Sequence, residues 1–396
     1  MPEDLIVDVL GGSDDFPGRL VELARDHPAV VDSGTGIVLA LRYHEIDRLA
    51  HDRRTHGVGL SFFDLMGIEG GLRDWYSSLM FTNEGDPHAR LRRLVSRAFT
   101  PRSVERLRDH ARELVASAML DLTQAGGGDL IEAFRLVPIR VICRLLGVPE
   151  EDSTVFGAWA DALSPVFAFM EPEQILAAEK ALGELLGYVS DLAETRSSSP
   201  ADDLITGLLG AEDDGDSLTR EEVVTMVANL LVAGHDTTSS QLGCSFLTLL
   251  RHPSALKQLR AGRVTPGHAV AETMRVEPNI AAIPRQLVEP VEVGGVTRPA
   301  GTVLLLAVYT GNRDPDVYEH ADTFIVDRFA SDRTPPLLSF GSGPHYCLGA
   351  NLARMTLHEG VQTLAARNVT LLTDPDRVEW RTVLGRSPAS LPVRIA

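Results

Sequence analysis

A ten-residue segment, residues 340–349, constrains the chain more than any other stretch. It reads Phe-Gly-Ser-Gly-Pro-His-Tyr-Cys-Leu-Gly, so three glycines surround one cysteine, Cys347. Apolar residues then recur at helical spacing, which predicts a helix that begins close to the cysteine. Because helix N-termini favour anions, a thiolate is stabilised there. The glycines leave the backbone open to a flat, bulky cofactor. The alternative is a buried structural cysteine beside a glycine turn.

A helical pattern from Thr219 to about Leu250 is the second constraint. Thr219 and Glu222 form a capping box at its start, and at ~1.5 Å per residue the predicted helix is ~45 Å long. Its middle, residues 233–238, reads Ala-Gly-His-Asp-Thr-Thr, where a buried helix should be apolar. These residues lower helix propensity, and such a conflict predicts a functional segment. The alternative is a polar kink in an exposed helix.

A third helix is predicted from Asp86-Pro87, which supplies an N-cap and a proline in the first turn. His88 and Arg92 share one face of this helix. Three further arginines lie roughly opposite that face: Arg90, Arg93 and Arg97. Residues 90–108 contain seven arginines and one acid in a chain that is acidic as a whole. This reversal predicts either a docking patch for an acidic redox protein or a solvated face.

These segments resemble the cytochrome P-450 family, in which a phenylalanine, three glycines, a basic residue and a cysteine ligand recur at this spacing. The resemblance covers nearly the whole chain, and its motifs occur in the expected order from Asp86 to Gly349. It implies a bacterial, soluble haem-thiolate protein with one domain over residues 1–396. The implied fold is mainly α with small β-sheets (α+β), the triangular prism of the family with a long central helix over the haem.

The resemblance also implies roles for single residues. The cofactor is haem b, iron protoporphyrin IX, and Cys347 is its metal ligand. The residues implied to bind haem are His88, Arg92, Ala233, Gly234, Arg285, Phe340, Gly341, His345, Cys347 and Gly349. Among them, His88, Arg92 and Arg285 would hold the propionates, since cations offset buried carboxylates, and Gly234 would open a groove over the iron. The residues implied to face the substrate are Asn229, Val232, Ala233, Ala281 and Ile283.

Two residues are implied to be catalytic. Asp236 relays protons, and Thr237 hydrogen-bonds dioxygen or its waters. A further pair, Glu272 and Arg275, faces each other on a predicted helix and can form an ion pair. The family adds an arginine from a later segment, which Arg328 matches, and the implied role of this network is structural.

Residues 51–85 contain many glycines and aromatic residues but little periodicity, which predicts a long loop. A loop of this length is functional or disordered. In the family it resembles, this region covers the substrate pocket. The apolar connection at residues 165–170 resembles the mobile lid over the substrate entrance.

Composition limits partners and compartment. Lys plus Arg number 37 against 55 for Asp plus Glu, a net charge of -18, which disfavours nucleic acid and anionic membranes as partners. The three cysteines show no disulfide pattern and suit a reducing compartment. Neither an export signal nor an apolar run of about 18 residues is found. A cytoplasmic monomer without a membrane anchor is therefore expected.

The function implied by the resemblance is hydroxylation or epoxidation of a lipophilic small molecule by dioxygen. Two electrons come from NAD(P)H through ferredoxin reductase and ferredoxin. Thiolate donation to iron favours O–O cleavage, which is why a cysteine is needed. The alternatives are a haem-thiolate protein that uses peroxide or isomerises its substrate, a cysteine hydrolase that pairs Cys347 with His345, and a haem sensor. Asp236 and Thr237 argue against the first, and no orienting acid supports the second.

Overall fold

The computed structural model describes residues 5–10, 16–167, 170–213, 215–382 and 385–396. The chain divides into two compact units. The sheet unit consists of Met1–Gly59 and Ala271–Cys347, and the helical unit consists of Leu60–Val270 and Leu348–Ala396. The secondary structure is mainly α with small β-sheets, as predicted. The single domain over residues 1–396 stays a prediction.

Helices make up most of the described residues. The α-helices are α1 (Phe16–Asp26), α2 (Tyr43–His51), α3 (Ser61–Met66), α4 (Gly71–Ser78), α5 (Gly85–Ala98), α6 (Pro101–Glu105), α7 (Arg108–Gln124), α8 (Leu130–Phe134), α9 (Val137–Leu146), α10 (Ser153–Leu163), α11 (Pro172–Ser198), α12 (Leu204–Leu209), α13 (Arg220–Arg251), α14 (Pro253–Arg260), α15 (Pro266–Val276), α16 (Val308–Gly311) and α17 (Ala350–Ala365). Short 3-10 helices lie at Met80–Thr82, Glu150–Asp152, Ser164–Phe167, Arg328–Ala330, Gly343–His345 and Pro375–Arg377.

The strands are short. They are β1 (Ile6–Val7), β2 (Ala29–Asp32), β3 (Val38–Ala40), β4 (Thr55–His56), β5 (Gly127–Asp129), β6 (Glu212–Asp213), β7 (Asp216–Ser217), β8 (Ile283–Leu287), β9 (Val291–Val293), β10 (Val296–Arg298), β11 (Val303–Leu306), β12 (Val369–Leu371), β13 (Trp380–Thr382), β14 (Arg386–Pro388) and β15 (Pro392–Ile395).

The sheet unit is built on a six-stranded sheet in the order β1-β2-β3-β11-β8-β4. The predicted hairpin is confirmed, since β2 and β3 pair antiparallel with Val30 opposite Leu39. Strand β11 then pairs parallel with β3 and antiparallel with β8, where Leu304 lies opposite Arg285. Alternate residues of these strands pack against α2 in one buried apolar cluster. Burial of this face fixes the register of β8, since a slip of one residue would expose it.

The helical unit is organised around α13. This helix has 32 residues, which is about 48 Å at 1.5 Å per residue. The predicted capping box is present: the Thr219 hydroxyl accepts from the Glu222 N–H at 3.2 Å, and Glu222 Oε2 accepts from the Thr219 N–H at 2.8 Å. Helices α9, α10, α11 and α17 pack along α13. Most of its middle and last turns are therefore buried.

The prediction of a long loop over residues 51–85 is wrong. The segment contains β4, α3, α4 and a 3-10 turn, and its Phe63, Trp75 and Tyr76 are buried. The rings of Phe63 and Tyr76 are 4.5 Å apart, and Phe167 packs 5.6 Å from Phe81. Helices of six and eight residues are too short for apolar residues to show a clear helical periodicity, so the sequence did not indicate them. Buried aromatic packing also contradicts the disordered alternative.

Two residues of the predicted lid, Ala168 and Phe169, lie outside the described residues. Among the helices that the structure describes, none combines the length and apolar character that crossing a membrane requires.

Candidate functional site

The cysteine segment of the sheet unit is a loop closed by its own backbone. The Cys347 N–H donates to the Phe340 carbonyl at 2.9 Å, and the Tyr346 N–H donates to the Gly343 carbonyl at 3.0 Å. Gly341 and Gly343 have φ values of 74° and 72°, which only glycine adopts without strain. Cys347 is exposed, and α17 begins three residues later, so the predicted helix start is confirmed.

Gly343 packs closely against the backbone of α2, a contact that the sequence did not indicate. A Cβ atom there would lie 2.3 Å from the Ala50 carbonyl oxygen of α2. The neighbouring Ser342 hydroxyl donates to Asp47 of the same helix. The side-chain atoms missing at Gly343 therefore make room for α2. At Gly341 a Cβ atom would meet nothing closer than Ile283 Cδ1 at 3.6 Å, so that glycine is required by its backbone conformation.

Strand β8 carries the other predicted residues of the sheet unit. Residues 280–286 are all half-buried, and this run includes Ala281, Ile283 and Arg285. The Ala281 carbonyl accepts from the Tyr309 N–H at 3.0 Å, which fixes the start of the segment. One guanidinium nitrogen of Arg285 donates to the Pro284 carbonyl at 3.0 Å.

The predicted ion-pair network of Glu272 is confirmed. Arg275 donates to both carboxylate oxygens of Glu272, at 2.8 and 2.9 Å, and Arg328 Nε lies 3.1 Å from the same carboxylate. Arg275 also donates to the carbonyls of Asn312 and Ala321. Glu272 and Arg275 are fully buried, so this network cross-links three segments of the sheet unit.

Helix α5 supplies the predicted histidine and arginine of the helical unit. It begins at Gly85, with Glu84 as N-cap and no side-chain cap bond, whereas the sequence predicted Asp86 as the cap. His88 is buried and Arg92, one turn later, is half-buried on the same face. The apolar residues of the helix are buried as expected: Leu91, Leu94 and Val95.

The other arginines of α5 form ion pairs inside the helical unit. Arg90 binds Asp216, at 2.8 Å, and Glu222. Arg93 and Arg97 both bind Asp213 of strand β6. These residues do not form a purely solvated face, although the side chains of Arg93 and Arg97 remain 49% and 57% exposed. The docking patch stays a prediction. The acidic β6–β7 hairpin covers this face of α5, and its acids lie over 110 residues away in sequence.

Helix α13 carries a stripe of half-buried residues in its middle. The stripe consists of Leu230, Ala233, Gly234 and Thr237, and Ser239, also half-buried, lies on the opposite side of the helix. The spacing of the stripe residues, three, four and seven, places them on one face. Accessible surface on one face of a buried helix marks open space beside it. Leu230 was missed by the sequence analysis, although its position three residues before Ala233 could have indicated it.

Val232 does not lie on this stripe. It is fully buried, and on a helical wheel it points about 150° away from the stripe. The structure therefore does not place it where a substrate along the stripe would lie. Asn229 is buried about 90° to one side, and its Oδ1 atom has no hydrogen-bond partner among the described residues.

The two predicted catalytic residues have different environments. The Thr237 hydroxyl lies on the stripe and donates to the Ala233 carbonyl at 2.7 Å. Asp236 is buried and accepts from the Gly385 N–H. Burial raises the pKa of the Asp236 carboxyl, and Arg381, His235 and the Gly385 N–H only partly oppose this. Asp236 Oδ2 has no partner among the described residues, so the carboxyl can take a proton.

His235 forms a buried pair that sequence reasoning missed. Its Nε2 lies 3.2 Å from Oδ1 of Asp161 in α10, whose side chain is half exposed and also binds Arg135 at 2.9 Å. His235 Nδ1 has no partner among the described residues. Desolvation raises the pKa of Asp161, but the hydrogen bond and charge of His235, with the charges of Arg135 and Arg381, leave that pKa lowered.

Gly234 packs closely on α9. A Cβ atom there would lie 2.5 Å from Ile142 Cδ1, so the tip of that side chain would have to shift to admit a larger residue. This contact lies inside the helical unit and was not predicted. The groove over an iron stays a prediction.

Each unit thus gathers part of the predicted set. The sheet unit contains Ala281, Ile283, Arg285, Phe340, Gly341, His345 and Cys347. The helical unit contains His88, Arg92, Asn229, Val232, Ala233, Gly234, Asp236, Thr237 and Gly349.

Comparisons with known proteins show what the chain is similar to. The sequence model of the family described as Cytochrome P450 matches residues 154–263 and 267–370. The chain is 34% identical to the luteothin monooxygenase of Streptomyces thioluteus over 90% of this chain and 88% of that protein. It is 38% identical to the mycinamicin IV hydroxylase/epoxidase of Micromonospora griseorubida over 77% of each chain. The crystal structure of CalO2 superimposes with a TM-score of 0.89 at 27% identity, covering 97% of this chain and 96% of that one.

Proposed function

Because the chain belongs to the cytochrome P450 family and is a haem-dependent monooxygenase, we propose that it hydroxylates or epoxidises a lipophilic small molecule. The electrons come from NAD(P)H through ferredoxin reductase and ferredoxin. A cysteine hydrolase and a haem sensor are no longer alternatives, since the relatives are oxygenases. Peroxide-driven turnover remains the competing route. A cytoplasmic location, the lack of a membrane anchor and a monomeric state stay predictions.

Cys347 is the proposed iron ligand. The exposure of its thiol on a loop held by backbone hydrogen bonds supports this role, because a rigid, open sulfur can bind a metal without rearrangement. His88, Arg92 and Arg285 are the proposed partners of the propionates, since buried carboxylates need cations. When bound, the haem supplies oxygen activation, which thiolate donation favours. The remaining chemistry, the placing of protons and substrate, falls to side chains of this protein.

The accessible stripe on α13 is the observation that carries the proposal. It combines small side chains, which leave room for a flat cofactor and a substrate, with one hydroxyl, that of Thr237. Asp236, the neighbouring residue, has a carboxyl whose pKa is raised by burial, so it holds a proton more readily than an exposed aspartate. General acid catalysis needs such a group near its operating pH. Asp236 is therefore the proposed proton carrier. Thr237 is proposed to pass the proton from Asp236 to the open space beside the stripe.

The proposed substrate is lipophilic because the side chains proposed to face it are apolar. Leu230 adds an apolar side chain to the stripe, and Ala281 and Ile283 are half-buried on the segment of β8. In the helical unit, the aromatic cluster of Phe63, Tyr76, Phe81 and Phe167 is proposed to border the entrance. Asn229, with its unpartnered oxygen, is the proposed polar contact.

We do not place the proposed ferredoxin contact at Arg93 and Arg97, because both arginines already bind Asp213. Arg102 of α6 is exposed, and its side chain has no hydrogen bond or ion pair with any described residue. An unpaired surface cation loses no internal partner when an acidic protein docks. Arg102 is therefore the proposed docking cation of this region.

The decisive experiment is the spectrum of the reduced carbon monoxide complex. The haem-loaded protein should show the strongly red-shifted band of thiolate coordination, and Cys347→His should lose it. Cys143→Ala is the matched control, since burial raises the pKa of the Cys143 thiol to about 12 and keeps it protonated. A surviving band in Cys347→His would mean that another cysteine binds iron. Product formation that needs peroxide, and fails with dioxygen and reductant, would favour the peroxide route.

A further inference from the structure

A large cleft in the helical unit lies apart from every residue assigned to haem or substrate. It has a volume of about 1080 Å³ and is lined by residues of α5, α7, α9, α11 and α12 and by their connections. Clefts of this size hold organic ligands rather than single ions. Its lining contains five arginines: Arg97, Arg106, Arg140, Arg144 and Arg196.

Three of these arginines have carboxylate partners. Arg106 binds Asp202 at 2.6 Å, Arg196 binds Asp203, and Arg97 binds Asp213. Asp202 and Asp203 are themselves lining residues, so these cations and anions cancel along that wall. The positive charge of the lining that no carboxylate balances lies on α9.

Arg140 and Arg144 are the arginines left without partners. Both line the cleft, one turn apart on α9, and neither side chain makes a hydrogen bond or ion pair with any described residue. Like charges at this spacing repel each other. Moreover, the Nε atom of Arg140 is buried and has no acceptor in the described ranges. A buried donor without an acceptor is costly unless something outside the protein supplies one.

The surroundings keep Arg140 in place. The His110 ring donates to the Arg140 carbonyl and so ties α7 to α9. Two exposed acids also line the cleft, Glu150 and Glu212, and neither lies within ion-pair distance of Arg140 or Arg144. Glu150 acts electrostatically on His110, so it is near enough to oppose an anion. An anion at this site is thus attracted by two guanidinium groups and opposed by the exposed carboxylates of the lining, of which Glu150 acts on His110.

We propose that this cleft binds an organic oxyanion, whose phosphate, sulfate or carboxylate group lies on Arg140 and Arg144. The guanidinium groups supply paired N–H donors with the planar geometry that oxyanions match. The site is independent of the monooxygenase reaction. It is one helix away from α13, since Ile142, between the two arginines in sequence, packs at Gly234. A ligand there would hold α9 in the position that this packing needs.

Calorimetric titration of the haem-loaded protein at constant ionic strength tests the site. The probes are inorganic phosphate, pyrophosphate and citrate, with chloride as the reference salt, so that phosphate and carboxylate sources are distinguished. The wild type should bind at least one probe saturably. Arg144→Gln, a change at an exposed side chain, should weaken binding at least tenfold, and Glu150→Gln should strengthen it. Arg102→Gln, which removes an unpaired arginine outside the cleft, should change nothing.

Thermal unfolding gives a second measurement that does not depend on affinity alone. The bound probe should raise the Tm of the wild type and leave that of Arg140→Gln unchanged, with the carbon monoxide spectrum showing that the variant is folded. Absence of saturable binding by all three probes would overturn the proposal, as would equal weakening by Arg102→Gln, which would mean non-specific attraction. Neither result would contradict the monooxygenase function, which does not depend on this cleft.

Discussion

Two buried polar clusters of this protein differ in how completely their hydrogen bonds are formed. In the sheet unit, both oxygens of Glu272 accept, and each guanidinium nitrogen of Arg275 donates. In the helical unit, the middle of α13 contains four buried polar atoms without a partner among the described residues: Asn229 Oδ1, His235 Nδ1, Asp236 Oδ2 and Ser240 Oγ. Both clusters break the rule that cores are apolar, but only the first compensates for it with protein groups.

We interpret this difference as one between a structural role for the Glu272 cluster and a functional role for the α13 cluster. A fully bonded buried network rigidifies the segments that it joins. A buried polar atom without a partner costs about 1–3 kcal/mol, and such a cost persists where function requires the group. Changes in the Glu272 cluster should therefore reduce stability, and changes in the α13 cluster should mainly alter activity.

The largest effect on stability is expected for Glu272→Gln. The change leaves the buried Arg275 guanidinium without its counter-charge, which costs about 3–5 kcal/mol. Denaturant unfolding measures it. The control is Asp109→Asn, because Asp109 is 86% exposed in its pair with Arg112 and such pairs contribute about 1 kcal/mol or less. Equal losses in the two variants would mean that the Glu272 cluster is no more structural than a surface pair.

Thr237→Ala should change activity with little effect on stability. Without the hydroxyl on the stripe, NAD(P)H is still consumed but is diverted to peroxide, and product formation falls on the order of 10²-fold, as for a lost proton-transfer group. The ratio of product to reductant measures this. Thr248→Ala is the matched control, since its hydroxyl makes the same bond to a carbonyl one turn back, at 2.8 Å, in a fully buried turn. Equal uncoupling in both variants would show that helix integrity, not position, matters.

Asp236→Asn and Asp161→Asn should change stability in opposite directions. The pKa of Asp236 is raised in the fold, so its ionised form costs stability above the ordinary pKa of an aspartate. Asp236→Asn should therefore stabilise the protein at pH 7. The pKa of Asp161 is lowered, so its ionised form contributes stability that is lost as pH falls through the folded value. Asp161→Asn should destabilise at pH 7.

Unfolding curves from pH 7 towards pH 3 measure both differences. The Asp236 difference should shrink as pH falls through the raised folded pKa towards the ordinary pKa of an aspartate. The Asp161 difference should begin to shrink only as pH falls below that ordinary value, towards the lowered folded pKa. Differences of the same sign, or differences that do not depend on pH, would contradict the assignment of these two environments.

The smallest effect is expected for the half-exposed arginines of α5. Arg93→Gln with Arg97→Gln removes both arginine partners of Asp213 and should cost about 1–3 kcal/mol, because the arginines are half exposed but the Asp213 carboxylate is buried. Arg102→Gln should leave stability unchanged but slow the ferredoxin-coupled rate, most clearly at low salt. Peroxide-driven turnover is the control for both variants. If the ferredoxin-coupled rate falls in the double variant but not in Arg102→Gln, ferredoxin docks on α5 and not at Arg102.

Predictions from the sequence succeeded where the interacting residues are close together in sequence or where a helical pattern extends over several turns. The capping box of α13, the helix after Cys347 and the pairing of Glu272 with Arg275 all depend on residues within one or two turns. The sequence failed for residues 51–85, because helices of six and eight residues show too few periods. It also missed the partners of Arg90, Arg93 and Arg97, since Asp213 and Asp216 come close only through the fold.

Within α13, the motif indicated a segment but not which of its faces are accessible. Its resemblance to a family pattern could not distinguish Val232, in the core, from Leu230, on the stripe. The His235–Asp161 pair was invisible because Asp161 lies in another helix. For the same reason, the contact of Gly234 with Ile142 needed the packed helices before it could be recognised.

The bond from the Thr237 hydroxyl to the Ala233 carbonyl has one more consequence. A hydroxyl has a single hydrogen and two lone pairs. While that hydrogen is donated to the helix, the hydroxyl oxygen can only accept from a further neighbour. The hydrogen must turn away from the Ala233 carbonyl, by rotation about the Cβ–Oγ bond, before it can be donated elsewhere. Donation to the Ala233 carbonyl and donation to any other acceptor are therefore mutually exclusive states of this hydroxyl.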